Sequence, residues 1–492
     1  MKNVIAVVLL CAVITSLCAC QKAPEKEVVI SKNEPVVTQN QELEKTEKPE
    51  ETVSPSQRIS VEKTFSSTDG SVNFSVKLNQ NVSVPAAETV QVTPHILTAE
   101  DAKRAAYTLF PNGEFFEAQP WGSTVYSQRE IQEKITRWSE FTSVDAVAGL
   151  YGDRKSESAL EDISATVKGF IDDYTLRYES APENSTKEPC RWTMRKSSEY
   201  MMSAEDLEGV DMSNDNDEIS AQITVNGIPY SFVVTSRDKN DFKVNSIGCF
   251  IDIGESPYNM DERIFTAQLC RTAEPTAEQI EEAKNKAQTL LDSFSLGQWS
   301  VDNAEVEKSK YGEVEYAIHV TAVPCVGDAP VLRLPQLENL RNPDGYAPEQ
   351  YLTDADFRFS ANGELVRFFM STPLEILNTA GGVSVMEIED LMGRAQDALT
   401  LTDLHSYGYG SYLSFANEDL VCNVEITEAE FGLSRVKVPN SEYEYQYVPS
   451  FRLMGTSEYI GADSGKTYYA DEKPVMMVVL NALDGSIISL SK

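Results

Sequence analysis

The stretches FRFSANGELVRFF at residues 357–369 and VVLNALDGSIISL at residues 478–490 decide the fold class. Each places an Asn-Gly or Asp-Gly pair between two apolar runs, and such pairs favour the tight turns that join antiparallel strands. Pairs of the same kind occur at residues 69–70 and 226–227, again between strand-like runs. The sequence therefore predicts β-hairpins at all four positions, within antiparallel sheets.

Four capping boxes predict where helices begin. In such a box, a side-chain oxygen and an acidic or amide residue three positions later bond to each other's backbone N–H groups. The boxes start at Thr98, Ser127, Thr276 and Ser384. The last two helices also carry apolar stripes at helical spacing. These stripes are Ile280, Ala283, Ala287, Leu290, Leu291 and Phe294 in one helix, and Ile388, Leu391, Met392, Ala395, Ala398 and Leu399 in the other.

Each apolar stripe must pack against an apolar surface, and alternating strands supply such surfaces. Two alternating segments are clear: Val72, Phe74, Val76 and Leu78 in one, and Val314, Tyr316, Ile318 and Val320 in the other. The expected fold class is α+β, in which amphipathic helices pack on antiparallel β-sheets after a disordered N-terminal tether.

The hairpin stretches at residues 357–369 and 478–490 also suggest an internal duplication. Each follows a capped amphipathic helix by roughly 80 to 100 residues, which is the kind of spacing that marks a repeated unit. The first unit would cover residues 276–372 and the second residues 382–492. The alternative is that two apolar hairpins resemble each other without a common origin. Residues 59–275 are assigned to a separate N-terminal α+β region.

The N-terminus has the features of an export signal. Lys2 precedes an unbroken apolar run over residues 4–14, which is too short to span a bilayer but suits a signal peptide. The run closes as Leu17-Cys18-Ala19-Cys20, which resembles the bacterial lipobox. That resemblance implies cleavage after Ala19, a signal peptide at residues 1–19, and a lipid on Cys20. Cys18 is the poorer candidate because bulky Leu17 precedes it. An ordinary secretory signal is the alternative.

Residues 20–58 are predicted to be the lipid anchor and a disordered tether. From Gln21 onward this segment contains four prolines, many polar residues and no aromatic residue, so it cannot bury enough apolar surface to fold. The chain as a whole has 42 basic and 77 acidic residues, a net charge of −35. Such a charge repels nucleic acid and anionic lipid. We therefore expect no nucleic-acid partner, and attachment to the outer face of the cytoplasmic membrane through the lipid on Cys20.

Five cysteines remain in the body of the chain: Cys190, Cys249, Cys270, Cys325 and Cys422. Their odd number leaves at least one unpaired, and they are too sparse for a disulfide scaffold. Most are expected to be small buried apolar residues. A disulfide between Cys249 and Cys270 is the alternative.

No motif predicts a catalytic, cofactor or metal site. The three histidines, His95, His319 and His405, are not spaced as zinc ligands. The stretch GADSGKT at residues 461–467 has three residues between its glycines where a phosphate-binding loop has four, so a surface turn is predicted. Because 77 acidic residues offer many pairs, a glycosidase-type pair of carboxylates stays open.

Two polar or aromatic patches are candidates for binding. DMSNDNDE at residues 211–218 alternates carboxylates and amides as calcium loops do, but it lacks their glycine and closing glutamate, so a solvated loop is favoured. The second patch contains six tyrosines that could contact sugars or a partner, although core packing is the commoner role. They are Tyr407, Tyr409, Tyr412, Tyr443, Tyr445 and Tyr447.

The strand at residues 479–488, which follows a helix and an antiparallel sheet, resembles the end of PepSY-type modules, small extracytoplasmic domains of Gram-positive bacteria. The wider layout joins the lipobox and tether to VNFSVKLNQNVSVP, YTLFPNGEFF and YQYVPSFRLMG. This layout is similar to an uncharacterised family of large surface lipoproteins from Gram-positive anaerobes. The resemblance implies an extracytoplasmic location and α+β modules, and it transfers no functional residue beyond Cys20.

Two classes of function follow. The favoured hypothesis is a non-catalytic, lipid-anchored surface protein that binds a protein or peptide partner at the cell envelope and could regulate it. The alternative is an enzyme acting on cell-wall glycan or peptide, or a carbohydrate-binding protein. A solute receptor is less favoured, because the long βαβ lobes of such a receptor are not evident.

Overall fold

A computed structural model describes most of the chain from residue 56 to residue 490. The described ranges are 56–84, 89–119, 124–151, 155–201, 215–239, 242–252, 257–311, 313–327, 329–332, 354–371, 373–381, 384–404, 416, 418–437 and 445–490. They all belong to one compact unit, Ser54–Lys492. Within these ranges the chain is mixed α and β, with large, mainly antiparallel sheets, which agrees with the predicted α+β class.

The helices are α1 Ala99–Leu109, α2 Gln128–Ser139, α3 Val144–Tyr151, α4 Glu157–Tyr178, α5 Ser198–Met201, α6 Met260–Cys270, α7 Ala277–Phe294 and α8 Ile388–Thr400. The strands are β1 Ser56–Ser66, β2 Val72–Ser83, β3 Thr89–Pro94, β4 Phe116–Glu117, β5 Arg195–Lys196, β6 Asp217–Val225, β7 Ile228–Lys239, β8 Phe242–Ile251, β9 Trp299–Tyr311, β10 Glu313–Val326, β11 Ala329–Pro330, β12 Ala355–Phe359, β13 Leu365–Ser371, β14 Leu374–Ala380, β15 Leu420–Lys437, β16 Tyr445–Gly461, β17 Thr467–Ala470, β18 Val475–Asn481 and β19 Ile487–Leu490.

A nine-stranded sheet combines the first and last strands of the body. Its order is β1-β2-β15-β16-β18-β19, with β17 and β3 also paired to β16, and β14 paired to β3. The pairing of β2 with β15 is parallel, with Asn73 opposite Asn423. Helix α8 covers one face, where its stripe packs with the inward residues of β1, β2 and β15. All six predicted stripe residues of α8 are buried.

A ten-stranded sheet is built from the strands between them, β4 to β13. Helices α1 and α7 pack on one face, where Phe294 of α7 contacts Phe368 of β13. Helix α6 packs on the opposite face, where Arg263 binds Glu315 of β10. Helices α2, α3 and α4 form a separate apolar cluster that includes Met260 of α6, so α6 joins this helical layer to the sheet.

All four predicted hairpins are confirmed. The turns at residues 69–70, 226–227, 362–363 and 484–485 join β1 to β2, β6 to β7, β12 to β13 and β18 to β19. At Asn226 and Gly227, φ is 52° and 79°, which is the conformation that a two-residue turn requires. The turn chemistry alone was sufficient for these predictions.

Three of the four predicted capping boxes are confirmed, at Thr98, Ser127 and Thr276. The prediction at Ser384 is wrong. Helix α8 begins at Ile388 with Glu387 as its N-cap, and no side chain caps it. The reason is tertiary: the N–H of Met386 donates to the carbonyl of Ala482 at 2.8 Å. This bond holds the preceding segment against the last hairpin, outside the helix.

The predicted alternation is confirmed in β2, where Val72, Phe74, Val76 and Leu78 are all buried. In β10 it is partly wrong. Val314 is 38% exposed, whereas its neighbour Glu315 is 3% exposed. The cause is that α6 covers the face of β10 that carries Glu315, so both faces of this strand meet helices.

Two further boundaries differ from the predictions. Strand β1 begins at Ser56, so residues 56–58 belong to a strand and not to the predicted tether. The predicted segment 59–275 contributes strands to both sheets, because β1 to β3 pair within the nine-stranded sheet. Strand pairing thus places β1 to β3 in one sheet with β14 to β19, and not in one sheet with the other strands of segment 59–275.

Cys249 and Cys270 carry free thiols, so the alternative of a disulfide between them is wrong in this structure. Both are buried. Burial raises the pKa of the Cys270 thiol to about 12, which keeps it protonated near neutral pH. These two cysteines therefore act as small apolar residues of the core, as expected.

Candidate binding site on the nine-stranded sheet

A polar groove lies on the face of the nine-stranded sheet opposite α8. It has a volume of about 560 Å³ and crosses the four neighbouring strands β1, β2, β15 and β16. Strand geometry explains its composition, since alternate residues of each strand point to opposite faces. The apolar residues of these strands meet α8, so their polar neighbours line the groove. Its polar lining residues are Thr64, Ser66, Asn73, Ser75, Lys77, Asn423, Glu425, Thr456 and Glu458.

Strand register arranges these side chains in two rows across the sheet. One row runs through Ser66, Asn73, Asn423 and Glu458, which are paired in register from strand to strand. The hydroxyl of Ser66 donates to Oδ1 of Asn73 at 3.0 Å, and Nδ2 of Asn73 donates to Oδ1 of Asn423 at 3.2 Å. Among the described residues, Nδ2 of Asn423 has no protein acceptor. Within this row, the exposed amide of Asn423 therefore offers a ligand a hydrogen-bond donor, next to the carboxylate of Glu458.

The second row runs through Thr64, Ser75, Glu425 and Thr456. Lys77 donates to Glu425 at 2.6 Å, and this hydrogen bond and charge raise the pKa of Lys77. The two side chains are 57% and 46% exposed. An ion pair so open to water is weak, so Glu425 can exchange Lys77 for a cation of a ligand.

The groove is net negative. Two carboxylates, on Glu425 and Glu458, and one ammonium group, on Lys77, line it. Its sign matches that of the whole chain, which has a net charge of −35. Chemically, the site offers hydroxyl, amide and carboxylate groups for hydrogen bonding.

Only part of this groove was predictable from the sequence. Asn73, Ser75 and Lys77 are the polar positions of the predicted alternating strand β2. Their partners on β15 could not be assigned, because Asn73 and Asn423 are 350 positions apart in sequence. Polar alternation along β15, with Asn423 and Glu425 beside buried Cys422 and Val424, was the signal that could have indicated this strand.

The histidines behave as structural residues where they are described. Nε2 of His95 lies 3.1 Å from Oδ2 of Asp101, the residue of α1 whose side chain completes the capping box with Thr98. His319 hydrogen-bonds to Asp356 on the adjacent strand, and this bond and charge raise the pKa of His319. Within the described ranges, no three His, Cys, Asp or Glu side chains are grouped to hold a metal ion. His405 lies outside the described residues.

The stretch at residues 461–467 forms the predicted turn between β16 and β17. The backbone N–H groups of this turn bind the carboxylate of Glu418. The N–H groups of Asp463 and Ser464 donate to Oε2 of Glu418 at 3.2 and 2.9 Å. The hydroxyls of Ser464 and Tyr468 donate to Oε1 of Glu418 at 2.6 and 2.7 Å. Together these bonds lower the pKa of Glu418 to about 2.

The remaining patches give no binding site in the described residues. Residues 211–214 of the calcium-like stretch lie outside them, and Asp217 and Glu218 belong to β6. Tyr447 is 2% exposed and packs with Val90 and Val92, so its role is core packing. The side chains of the other five tyrosines lie outside the described residues, as does the predicted lipid site Cys20.

Two buried carboxylates were missed by sequence reasoning. Asp261 of α6 accepts hydrogen bonds from Arg137 and Trp138, both at 2.8 Å, and from Lys134 at 3.1 Å. Glu315 of β10 binds Arg263 and Arg271. Both carboxylates join α6 to its surroundings. The hydrogen-bond partners of both carboxylates are arginine, lysine and tryptophan side chains of the fold. We therefore assign a structural role to Asp261 and Glu315.

Comparisons with known proteins give no family. No family model matches the chain, and no curated protein matches it. Among solved structures, a crystal structure of an uncharacterized protein from Eubacterium rectale ATCC 33656 aligns with a TM-score of 0.37 and 13% sequence identity. That alignment covers 86% of this chain and 92% of the other.

A helix needs about 20 consecutive, mainly apolar residues to cross a bilayer. In the described part of the chain, no helix combines that length with that apolar character.

Proposed function

We propose that this chain is a non-catalytic, lipid-anchored surface protein that binds a protein or peptide partner at the cell envelope. The observation that carries the proposal is the polar groove on β1, β2, β15 and β16, which is lined by exposed hydrogen-bonding groups. Its hydroxyl, amide and carboxylate groups face water, so they are accessible for hydrogen bonds to an exposed segment of a partner.

Capture from solubilised envelope proteins tests the binding function. The mature chain is compared with the double variant Asn73→Ala/Asn423→Ala, which removes the amide pair of the groove. The double variant Asn285→Ala/Asn303→Ala, at exposed positions of α7 and β9, is the matched control. We expect a partner that the wild type and the control retain and the groove variant loses. A partner retained equally by all three proteins would contradict the proposed site.

The alternative function is an enzyme acting on wall glycan or peptide, or a carbohydrate-binding protein. Incubation of the mature chain with purified wall material separates these functions. Release of soluble fragments, lost on a single Asp or Glu substitution, would favour the enzyme. Retention of wall glycan by the groove would favour carbohydrate binding.

The anchor is part of the proposal, and two cysteines allow a matched test. We expect Cys20→Ser to abolish membrane attachment and Cys18→Ser to leave it unchanged, because only Cys20 follows a small residue in the lipobox-like segment. Fractionation and the intact mass of the N-terminal peptide report the result. A lipid on Cys18, or attachment that survives both substitutions, would contradict it.

We also propose that two repeated units make up the C-terminal half, as in PepSY-like modules. The support is a common order of elements. Helix α7 is followed by strands that neighbour one another as β9-β10-β12-β13, and α8 by strands in the order β15-β16-β18-β19. Each series ends in a hairpin with a Gly of positive φ, Gly363 or Gly485. Superposition of the two series tests this proposal, which requires the two helices to lie on equivalent faces of their strands.

A further inference from the structure

We propose that the groove on β1, β2, β15 and β16 takes an extended, cationic peptide segment of the partner, with basic residues at alternate positions. This inference rests on the proposed function, because it names the chemistry of the partner bound at the same site.

The charge of the groove favours a cationic occupant. Glu425 and Glu458 face the groove, and only Lys77 opposes them among its lining residues. The chain carries −35 overall, so its field attracts cations and repels anions before contact. Glu425 already binds a cationic side chain, that of Lys77, at 2.6 Å. A lysine or arginine of a partner would use the same carboxylate chemistry.

The spacing of the two carboxylates matches an extended peptide. Asn423 is paired with Glu458, and Glu425 with Thr456, so the two carboxylates are diagonal neighbours on adjacent strands. Diagonal neighbours on a sheet are about 7 to 8 Å apart. In an extended peptide, side chains at positions i and i+2 share a face and are roughly 6.6 to 6.8 Å apart. Basic residues at alternate positions therefore match the spacing of Glu425 and Glu458 along the sheet. One oxygen of Glu458 accepts from the hydroxyl of Thr467 at 2.7 Å, which leaves its other oxygen for a cation.

The uncharged groups of the groove suit a peptide backbone. The polar rows supply short hydroxyl side chains between and beside the two carboxylates, including Thr64, Ser75 and Thr456. These hydroxyls can donate to peptide carbonyls and accept from peptide N–H groups. Nδ2 of Asn423 adds a donor that no described protein group uses. An extended backbone, which carries unpaired donors and acceptors, matches such a surface.

The aromatic content of the groove argues against a sugar as the occupant. Binding sites for sugars commonly use an exposed aromatic face. Of the two phenylalanines that border the groove, Phe74 is buried and Phe65 stacks on it, with ring centroids 4.8 Å apart. In the described part of the groove, no aromatic ring faces outward from the polar rows. We therefore favour a peptide over a wall glycan as the occupant, and binding of a glycan is one of the outcomes that the experiment below distinguishes.

The test uses the full mature chain and three labelled twelve-residue peptides. In each peptide Ser alternates with one other residue, which is Lys in the first, Glu in the second and Asn in the third. Binding is measured by fluorescence anisotropy at low and at physiological salt. The double variant Glu425→Gln/Glu458→Gln removes the two groove carboxylates. The control Glu161→Gln/Glu281→Gln removes two exposed carboxylates on α4 and α7, so both variants change the net charge equally.

We expect the Lys peptide alone to bind, with roughly tenfold weaker affinity for the groove variant and less than about twofold change for the control. The side-chain amide signals of Asn73 and Asn423 should shift in NMR spectra when it binds. Equal weakening by both variants, or no binding of the Lys peptide, would overturn the inference. Binding of a neutral wall oligosaccharide with those NMR shifts, in place of the Lys peptide, would also overturn it.

The envelope-capture experiment separates this inference from the proposed function. If capture of a partner depends on Asn73 and Asn423 but the Lys peptide does not bind, the cationic-peptide inference fails and the binding function stands. If capture does not depend on these residues, the proposed function itself fails at this site.

Discussion

At the scale of single residues, Glu315 stabilises the junction between the ten-stranded sheet and α6. Its side chain is 3% exposed and hydrogen-bonds to Arg263 at 2.8 and 3.2 Å, while Nε of Arg271 lies 3.2 Å from Oε1. Arg263 and Arg271 also donate to the carbonyls of Leu150 and Gly149. One carboxylate thus supports two arginines that hold α3 against the sheet.

We predict that Glu315→Gln lowers the free energy of unfolding by about 3 kcal/mol, because it leaves two largely buried guanidinium groups without a counter-charge. Urea unfolding followed by tryptophan fluorescence measures the change. Glu281→Gln, which affects an exposed pair with Lys284, is the control and should change stability by less than about 0.5 kcal/mol. Equal effects of the two substitutions would show that Glu315 is not a structural anchor.

His319 gives a prediction about pH. Its hydrogen bond and charge interaction with Asp356 raise the pKa of the imidazole, although partial burial opposes this. A raised pKa in the folded state means that protonation of His319 contributes its full stabilisation below about pH 6.5, the ordinary histidine pKa, down to the pH at which Asp356, whose own pKa is lowered, becomes protonated. The stabilisation is then lost as pH rises through the folded pKa.

NMR titration of the imidazole signals measures this directly, with His319→Gln used to assign the signal. We expect His319 to titrate above about pH 6.5, and to return towards the ordinary value in Asp356→Asn. An unchanged titration in Asp356→Asn would contradict the role given to this carboxylate.

At the scale of elements, the starts of α7 and α8 differ although both have the sequence of a capping box. In α7, the hydroxyl of Thr276 accepts from the N–H of Gln279, and the side chain of Gln279 accepts from the N–H of Thr276. In α8 the equivalent residue, Ser384, lies four residues before the first helical residue.

We therefore predict that Thr276→Ala destabilises the protein by about 0.5 to 2 kcal/mol, the usual cost of losing an N-cap. Ser384→Ala should change stability by less than about 0.5 kcal/mol, because this hydroxyl caps no helix. Thermal and urea unfolding of the two variants provide the comparison. A loss of stability in Ser384→Ala as large as that in Thr276→Ala would mean that α8 starts earlier than described.

The elements also show which features a sequence can predict. Turn pairs, three capping boxes and the apolar stripes of α7 and α8 depend on residues within about one or two helical turns of one another. These predictions are confirmed. Ser384 failed because a bond from Met386 to Ala482 decided the outcome, and Glu315 was missed because its arginines lie on another element. Contacts between distant segments carry no local signal.

At the scale of the whole molecule, the groove depends on one long-range contact. Its two halves, on β1–β2 and on β15–β16, are brought side by side by the parallel pairing of β2 with β15. The polar side of β2 was predictable, but the strand beside it was not. The same pairing places the first strands of the body in the sheet that contains its last strands, a grouping that a division along the sequence cannot predict.

The central claim is that a partner binds at this groove in the cell. Site-specific crosslinking in living cells tests it most directly, with a photoreactive amino acid at Ser75 in the groove of the full-length, anchored chain. The same amino acid at Glu161, exposed on α4, is the control. We predict a discrete crosslinked protein from Ser75, absent from Glu161 and lost when Glu425→Gln/Glu458→Gln is added. No crosslinked protein from Ser75, or the same protein from both positions, would contradict the claim.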